Sequence, residues 1–261
     1  MPRGWSIMGF ELRSLGPERF LVWDLLHETD PYYLNQHLFD VDFSAIETDR
    51  ERKRRAGLIV PSYVAYVLEG YGRTLAQFPE LNSYLRVYPF TRLAVYSGVD
   101  ISLTVEREWE GRRIVLLAIL REAQNKSAEE IHEFLRARRE CPLDELEEFA
   151  RYKKLLKVPA FCRWHLFQLC IKPFPGLMRD LVGTTAFTSI GKFGSTFTTP
   201  LSPRTVTLSL GRVEPRPRVV GNDVRPALSA WVTVTYDHRV SDGAEVARFG
   251  DELRRYLERP L

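Results

Sequence analysis

The chain has 261 residues, 44% hydrophobic and 27% charged, with 37 Lys and Arg against 34 Asp and Glu for a formal net charge of +3. These proportions exclude disordered and collagen-like classes, and so slight a charge makes no case for nucleic acid as a partner. Three cysteines without CxxC spacing or paired histidines, no leader-like amino terminus and no run of about 18 apolar residues point to a soluble cytoplasmic protein with no zinc site, signal peptide or transmembrane segment.

Residues 1–57 are mixed and aromatic-rich, with Leu34 to Asp42 reading as a strand and the charged run Asp49 to Arg55 as a solvated loop or helix face. Leu58 to Leu81 carries Val60, Val64, Val67, Leu68 and Leu75 at helical spacing and exits through Phe78-Pro79-Glu80-Leu81-Asn82. Val95 to Glu106 and Arg113 to Leu120 read as strands around the turn Glu108-Trp109-Glu110-Gly111. Ser127-Ala128-Glu129-Glu130 fits a capping box that opens a helix through Ile131, Phe134 and Leu135. Leu143 to Tyr152 is acidic and helical.

Residues 155–179 are apolar on most faces between their prolines. A buried helix or helical hairpin is one account; a lid over an apolar ligand, or a surface touching membrane or partner, are the others. The lid is favoured, because Pro159, Pro173 and Pro175 bracket the segment as a separate unit.

Thr184 to Pro200 is rich in Thr, Ser and Gly and reads as strand, tight turn, strand. Val206 to Val213 is a further strand, ended by Glu214-Pro215-Arg216-Pro217. Ala230 to Tyr236 alternates like a half-buried strand, and Val246, Phe249, Leu253 and Leu257 recur as on a helix. His238 therefore lies in a strand-to-helix turn, with Asp242 beside the helix start, where a carboxylate is favoured. On position alone, Asp242 is a cap and His238 incidental. With no internal repeat or low-complexity linker, the chain reads as one domain over 1–261 with an apolar helical insertion at 146–182.

Four motifs come in a telling order: F-P-E-L-N after a helix, T-S-I-G in the Ser/Thr-rich stretch, L-G-R-V-E-P-R-P after a strand, and D-H-R-V-S-D-G-A before the last helix. Together they resemble the catalytic domain of the 2-oxoacid dehydrogenase dihydrolipoyl acyltransferases, of the chloramphenicol-acetyltransferase-like superfamily. The match is close from about Gly183 to Pro260, looser from about Leu58 to Glu140, and faint elsewhere. The resemblance implies an α/β (α+β) two-layer sandwich, a mixed β-sheet with helices packed on one face.

It further implies a coenzyme A-dependent acyltransferase, moving an acyl group between a thioester and a thiol, hydroxyl or amine. His238 would be the general base. Thr188 would donate to the oxyanion, with Ser189 as substitute if the register is off by one. Asp242 would hold the turn through an arginine from the amino-terminal region, Arg19 or Arg13. A homotrimer with active sites between subunits is implied too.

The departures are also informative. The sequence shows no lipoyl domain or D-K-A lipoylation site, and the segment Leu155 to Met178 replaces a short, polar family stretch. They lead to the expectation of a free-standing acyltransferase whose acceptor is a small molecule, a carrier protein or a lipoyl domain. The alternative is a catalytically inactive relative kept as assembly scaffold or ligand-binding partner. A condensation-type domain of peptide synthesis would need a histidine where Asp237 stands and a far longer chain. A metal site at His238 and Asp242 lacks a third ligand.

Overall fold

A computed structural model describes residues 33–87, 90–220 and 222–259. In chain order they form β1 (Leu34–Asp42), α1 (Ser44–Arg55), α2 (Tyr63–Leu75), β2 (Ser83–Arg86), β3 (Arg92–Val95), β4 (Ile101–Trp109), β5 (Arg112–Leu120) and α3 (Ala128–Glu140). There follow α4 (Glu147–Lys157), α5 (Ala160–Leu166), a π-helical turn (Phe167–Ile171), α6 (Pro175–Val182), β6 (Thr185–Ser189), β7 (Val206–Leu210), β8 (Glu214–Val220), β9 (Asp223–Asp237) and α7 (Gly243–Glu258).

Alternation along the strands sorts their side chains into two layers. Seven strands make one sheet in the order β1-β9-β7-β6-β4-β5, with β8 beside the first half of β9. The sheet is mixed: β6 runs parallel to β4 and β7, and the other neighbours are antiparallel. Leu103, Phe187, Leu208 and Val234 share one face and pack with Val67, Leu68 and Tyr71 of α2 and Val246, Phe249 and Leu253 of α7. Burying each such side chain contributes about 1.5–3 kcal/mol, so these two helices hold the sheet. A smaller cluster joins Ile114 and Leu116 of β5 to Phe149 and Tyr152 of α4.

Local chemistry sets the element ends. Ser62 accepts from the Ala65 amide and starts α2, so the helix begins after Pro61 rather than at Leu58, where the apolar spacing alone placed it. The capping box at α3 is complete: Ser127 N donates to Glu130 (2.8 Å) and Glu130 N to the Ser127 hydroxyl (3.2 Å). The β4–β5 hairpin turns on Glu110 and Gly111, both at positive φ (52° and 73°), the geometry of a two-residue type I′ turn.

Several expectations need correction. The strand read from Val95 is two: β3 ends at Val95 in a hairpin with β2, and β4 starts at Ile101. The Ser/Thr-rich stretch is not a hairpin, because β6 finds its partners in β4 and β7 and is followed by a 3-10 turn over Gly191–Phe193 and a loop. Glu214-Pro215-Arg216-Pro217 does not end a strand but begins β8. Prolines two residues apart lack N–H groups on the same side, and among the described residues β8 has only β9 for a neighbour.

The segment 155–179 is not buried. Leu155, Trp164, Leu166, Leu169, Phe174 and Leu177 are all exposed, Leu169 by 72%, while Met178 turns inward. The apolar run is broken into short helices at Pro159 and Pro175.

Candidate active site

The turn Asp237 to Asp242 joins the longest strand to the last helix. The Asp237 carbonyl accepts from Val240 N (3.0 Å) and Ser241 N (3.3 Å), closing the turn. Its fully buried carboxylate accepts four hydrogen bonds from Arg239: from the backbone amide (3.1 Å), from Nε to both oxygens (2.9 and 3.1 Å) and from Nη2 (2.5 Å). A forked, charge-assisted pair of this kind fixes the backbone on both sides of His238. His238 N in turn donates to the Tyr33 carbonyl (2.8 Å).

Held this way, the His238 ring lies against Tyr236 with 5.6 Å between centroids. Its side chain is 45% exposed, and Nδ1 stands 3.7 Å from Asp242 Oδ1, beyond hydrogen-bond reach. Nε2 has no partner among the described residues. The site therefore presents an accessible imidazole on a rigid support.

Asp242 departs from expectation. It occupies the N-cap position of α7, yet its side chain caps nothing and is 88% exposed. The hydroxyl of Ser241 instead donates to Glu245 (2.6 Å) across the helix start. Arg13 and Arg19, the expected partners of Asp242, lie outside the described residues. Among those described, the arginine-held carboxylate of this turn is Asp237. Sequence reasoning passed over it, although D-H-R itself places the pair two residues apart, on one side of a strand end.

Thr188 lies near the end of β6. Phe187 points into the helical layer, so Thr188 faces the other side of the sheet, level with Ser209 and, through it, Thr233. Its hydroxyl has no hydrogen bond among the described residues, whereas Ser189 Oγ is committed to the Leu210 carbonyl (3.0 Å). The same face carries Thr207, Thr233 and Thr235, whose hydroxyls are buried without partners. The alternating threonines of V-T-L-S-L and W-V-T-V-T-Y were the signal for this hydroxyl-lined face, and sequence reasoning took them only as strand formers.

The motif glycines explain each other. A Cβ on Gly191 would meet the Gly211 carbonyl and the Arg212 backbone at 2.8 Å, and one on Gly211 would meet the Thr196 carbonyl at 2.0 Å. T-S-I-G and L-G-R are thus two backbones in direct contact, which sets the loop following Thr188.

His238 and Thr188 do not meet within one chain. Thr188 is level with Thr233, and His238 lies five residues further on, just past the end of β9. At about 3.3 Å per residue and about 4.8 Å per strand, their Cα atoms are about 19 Å apart, toward opposite ends of the sheet.

Comparison with known proteins agrees with this architecture. Residues 178–261 match the family model described as 2-oxoacid dehydrogenases acyltransferase (catalytic domain). Over 212 residues, 80% of this chain, the sequence is 22% identical to the dihydrolipoyllysine-residue succinyltransferase component of the 2-oxoglutarate dehydrogenase complex of Buchnera aphidicola subsp. Acyrthosiphon pisum, 41% of which is covered. The chain spans less than half the length of the curated relatives it matches.

Among solved structures, the cubic core of the pyruvate dehydrogenase multienzyme complex superposes with a TM-score of 0.69 at 20% identity, covering 99% of this chain and 97% of that one. The dihydrolipoamide acetyltransferase of Azotobacter vinelandii, in whose catalytic mechanism a serine, a histidine and an asparagine were investigated, gives 0.68 at 20% identity over 95% and 92%. Chloramphenicol acetyltransferase gives 0.51 at 13% identity over 94% and 96%. The fold is that of the chloramphenicol-acetyltransferase-like α/β proteins. Within that class, the sequence likeness of the carboxyl-terminal third is to the 2-oxoacid dehydrogenase acyltransferase catalytic domain.

Proposed function

We propose that the chain is a single acyltransferase domain that moves an acyl group between a coenzyme A thioester and a thiol, hydroxyl or amine acceptor. The observation that carries this reading is the accessible imidazole of His238, clamped by the buried Asp237–Arg239 pair at the end of β9. A scaffold has no physical need for an exposed base on so rigid a mount.

In the proposed reaction His238 takes the proton of the attacking group as that group adds to the thioester carbonyl. The Thr188 hydroxyl donates to the carbonyl oxygen as negative charge develops there. His238 then returns its proton to the departing thiol, and the acyl group remains on the acceptor. Thr188 suits the donor role better than Ser189, whose proton is already held by a carbonyl. Asp242 is free to orient His238 through Nδ1 once the imidazole is charged.

The separation of Thr188 from His238 supports a site shared between subunits, and a homotrimer is the assembly we assign. The similarity to a cubic core and to an acetyltransferase with its own histidine supports that choice. The three cysteines are free thiols, which suits a cytoplasmic setting. The acceptor would be a small molecule, a carrier protein or a lipoyl domain.

The test is a panel of acyl-coenzyme A donors and simple acceptors, read by thiol release with the wild type and His238→Ala. Acceptor-dependent release that is lost in the variant is expected. No release above background with any pair would leave the fold as a non-catalytic scaffold or binding module.

A further inference from the structure

Residues 151–179, from the second half of α4 into α6, contain seven Lys and Arg and no Asp or Glu. The chain's net charge is +3, so this stretch carries +7 and the remainder −4. Lys154 and Lys157 are exposed and have no partner among the described residues, and they flank Leu155, which is half exposed.

The same stretch also exposes large apolar side chains. Trp164, Leu166 and Leu169 stand out from α5 and the π-helical turn. Phe174, just before α6, and Leu177 and Leu181 on it are exposed, while Met178 is buried. Surface of this kind in water marks an interaction site.

The charge selects the partner. Lys153 and Arg179 are paired with Asp144, Asp100 and Glu122, so the charge left open is that of Lys154 and Lys157, and a second copy of this face would set those lysines against each other. A lid closing on an acyl chain would need the apolar side chains but not the unpaired lysines. A bilayer with anionic headgroups satisfies both, with tryptophan and leucine at the acyl boundary and lysine among the phosphates. Among the described residues no helix is long and apolar enough to cross a membrane, so this contact would lie in the interface plane.

We propose that residues 154–181 seat the protein on an anionic phospholipid bilayer. The full chain should sediment with mixed phosphatidylglycerol–phosphatidylcholine vesicles and not with phosphatidylcholine vesicles, and salt should release it. Each basic residue near such a surface is worth about fivefold, so Lys154→Gln with Lys157→Gln should weaken partitioning about 30-fold. Leu169→Ser should weaken it about tenfold, and its melting temperature should stay that of the wild type because the side chain is exposed. No sedimentation, equal sedimentation with both vesicle types, or indifference to the lysine changes overturns the proposal. If Leu169→Ser instead alters the oligomer's mass without lipid, the face is covered by a second copy. If Trp164→Ala alters only the preferred acyl-chain length, with vesicle binding intact, the segment is a lid.

Discussion

At the scale of single residues, charge and hydrogen bonding separate groups that the motif presents side by side. His238→Ala should lower acyl transfer by about 10²–10⁴-fold with the fold intact, as shown by an unchanged circular dichroism spectrum. Thr188→Ala should lower turnover by about 10²–10³-fold with little change in KM, whereas Ser189→Ala, which removes only a bond to the Leu210 carbonyl, should mainly affect stability. A larger kinetic loss in Ser189→Ala would move the oxyanion donor by one residue. The two aspartates of the turn should also separate. Asp237→Asn leaves the Arg239 guanidinium without its buried charge and should cost about 3 kcal/mol in a thermal melt, while Asp242→Asn, at an 88% exposed side chain, should stay within about 0.5 kcal/mol.

At the scale of elements, a buried carboxylate is the charged tie between α6 and the sheet, beside hydrogen bonds from Tyr84, Tyr96 and Arg204 to the carbonyls of Lys172, Pro175 and Val182. Asp100 Oδ2 accepts from Arg179 Nε (2.8 Å) and Arg121 Nη1 (2.8 Å), its Oδ1 accepts from the Glu122 amide (2.9 Å), and Arg179 also pairs with Glu122. Burial pushes the Asp100 carboxyl up, but the Arg179, Glu122 and Arg121 hydrogen bonds outweigh it and hold the group below its usual range. A depressed folded-state pKa adds stability above the unfolded value of about 3.9, and that stability is lost as pH falls through the folded value. Asp100→Asn should therefore lower the melting temperature at neutral pH by the equivalent of about 3 kcal/mol and flatten the loss of stability below about pH 4. A variant that melts like the wild type at pH 7 would show that α6 is held by other contacts.

At the scale of the whole molecule, the proposed chemistry depends on assembly. With Thr188 and His238 about 19 Å apart in one chain, a solution monomer should be inactive. Light scattering should give a trimer. Mixing His238→Ala with Thr188→Ala under conditions of subunit exchange should restore activity, because hybrid interfaces would pair the intact histidine with the intact threonine. Failure of the mixture to regain activity while the subunits demonstrably exchange would place both residues of each site in the same chain.

What the sequence determined by itself is what depends on near neighbours. The strand Leu34–Asp42, the capping box at Ser127, the turn at Gly111 and the amphipathic α7 follow from alternation, helical spacing, a hydroxyl three residues before a carboxylate and a glycine at positive φ. His238 was legible in the same way, as a histidine between a strand pattern and a helix pattern. What only the tertiary structure decided depends on residues far apart along the chain. The partners of β6 come from strands 84 and 21 residues away, so its parallel pairing could not be read from a Ser/Thr-rich run that looks like a hairpin. Along the chain the prolines of β8 look like a stop, and only the sheet order, in which β9 is its one neighbour among the described residues, leaves a side where a missing N–H costs nothing. The free hydroxyl of Thr188, the engaged one of Ser189 and the exposure of the apolar segment all depend on which distant surface lies opposite. Local spacing fixes which way a side chain points within its own element, and only packing fixes what it meets there.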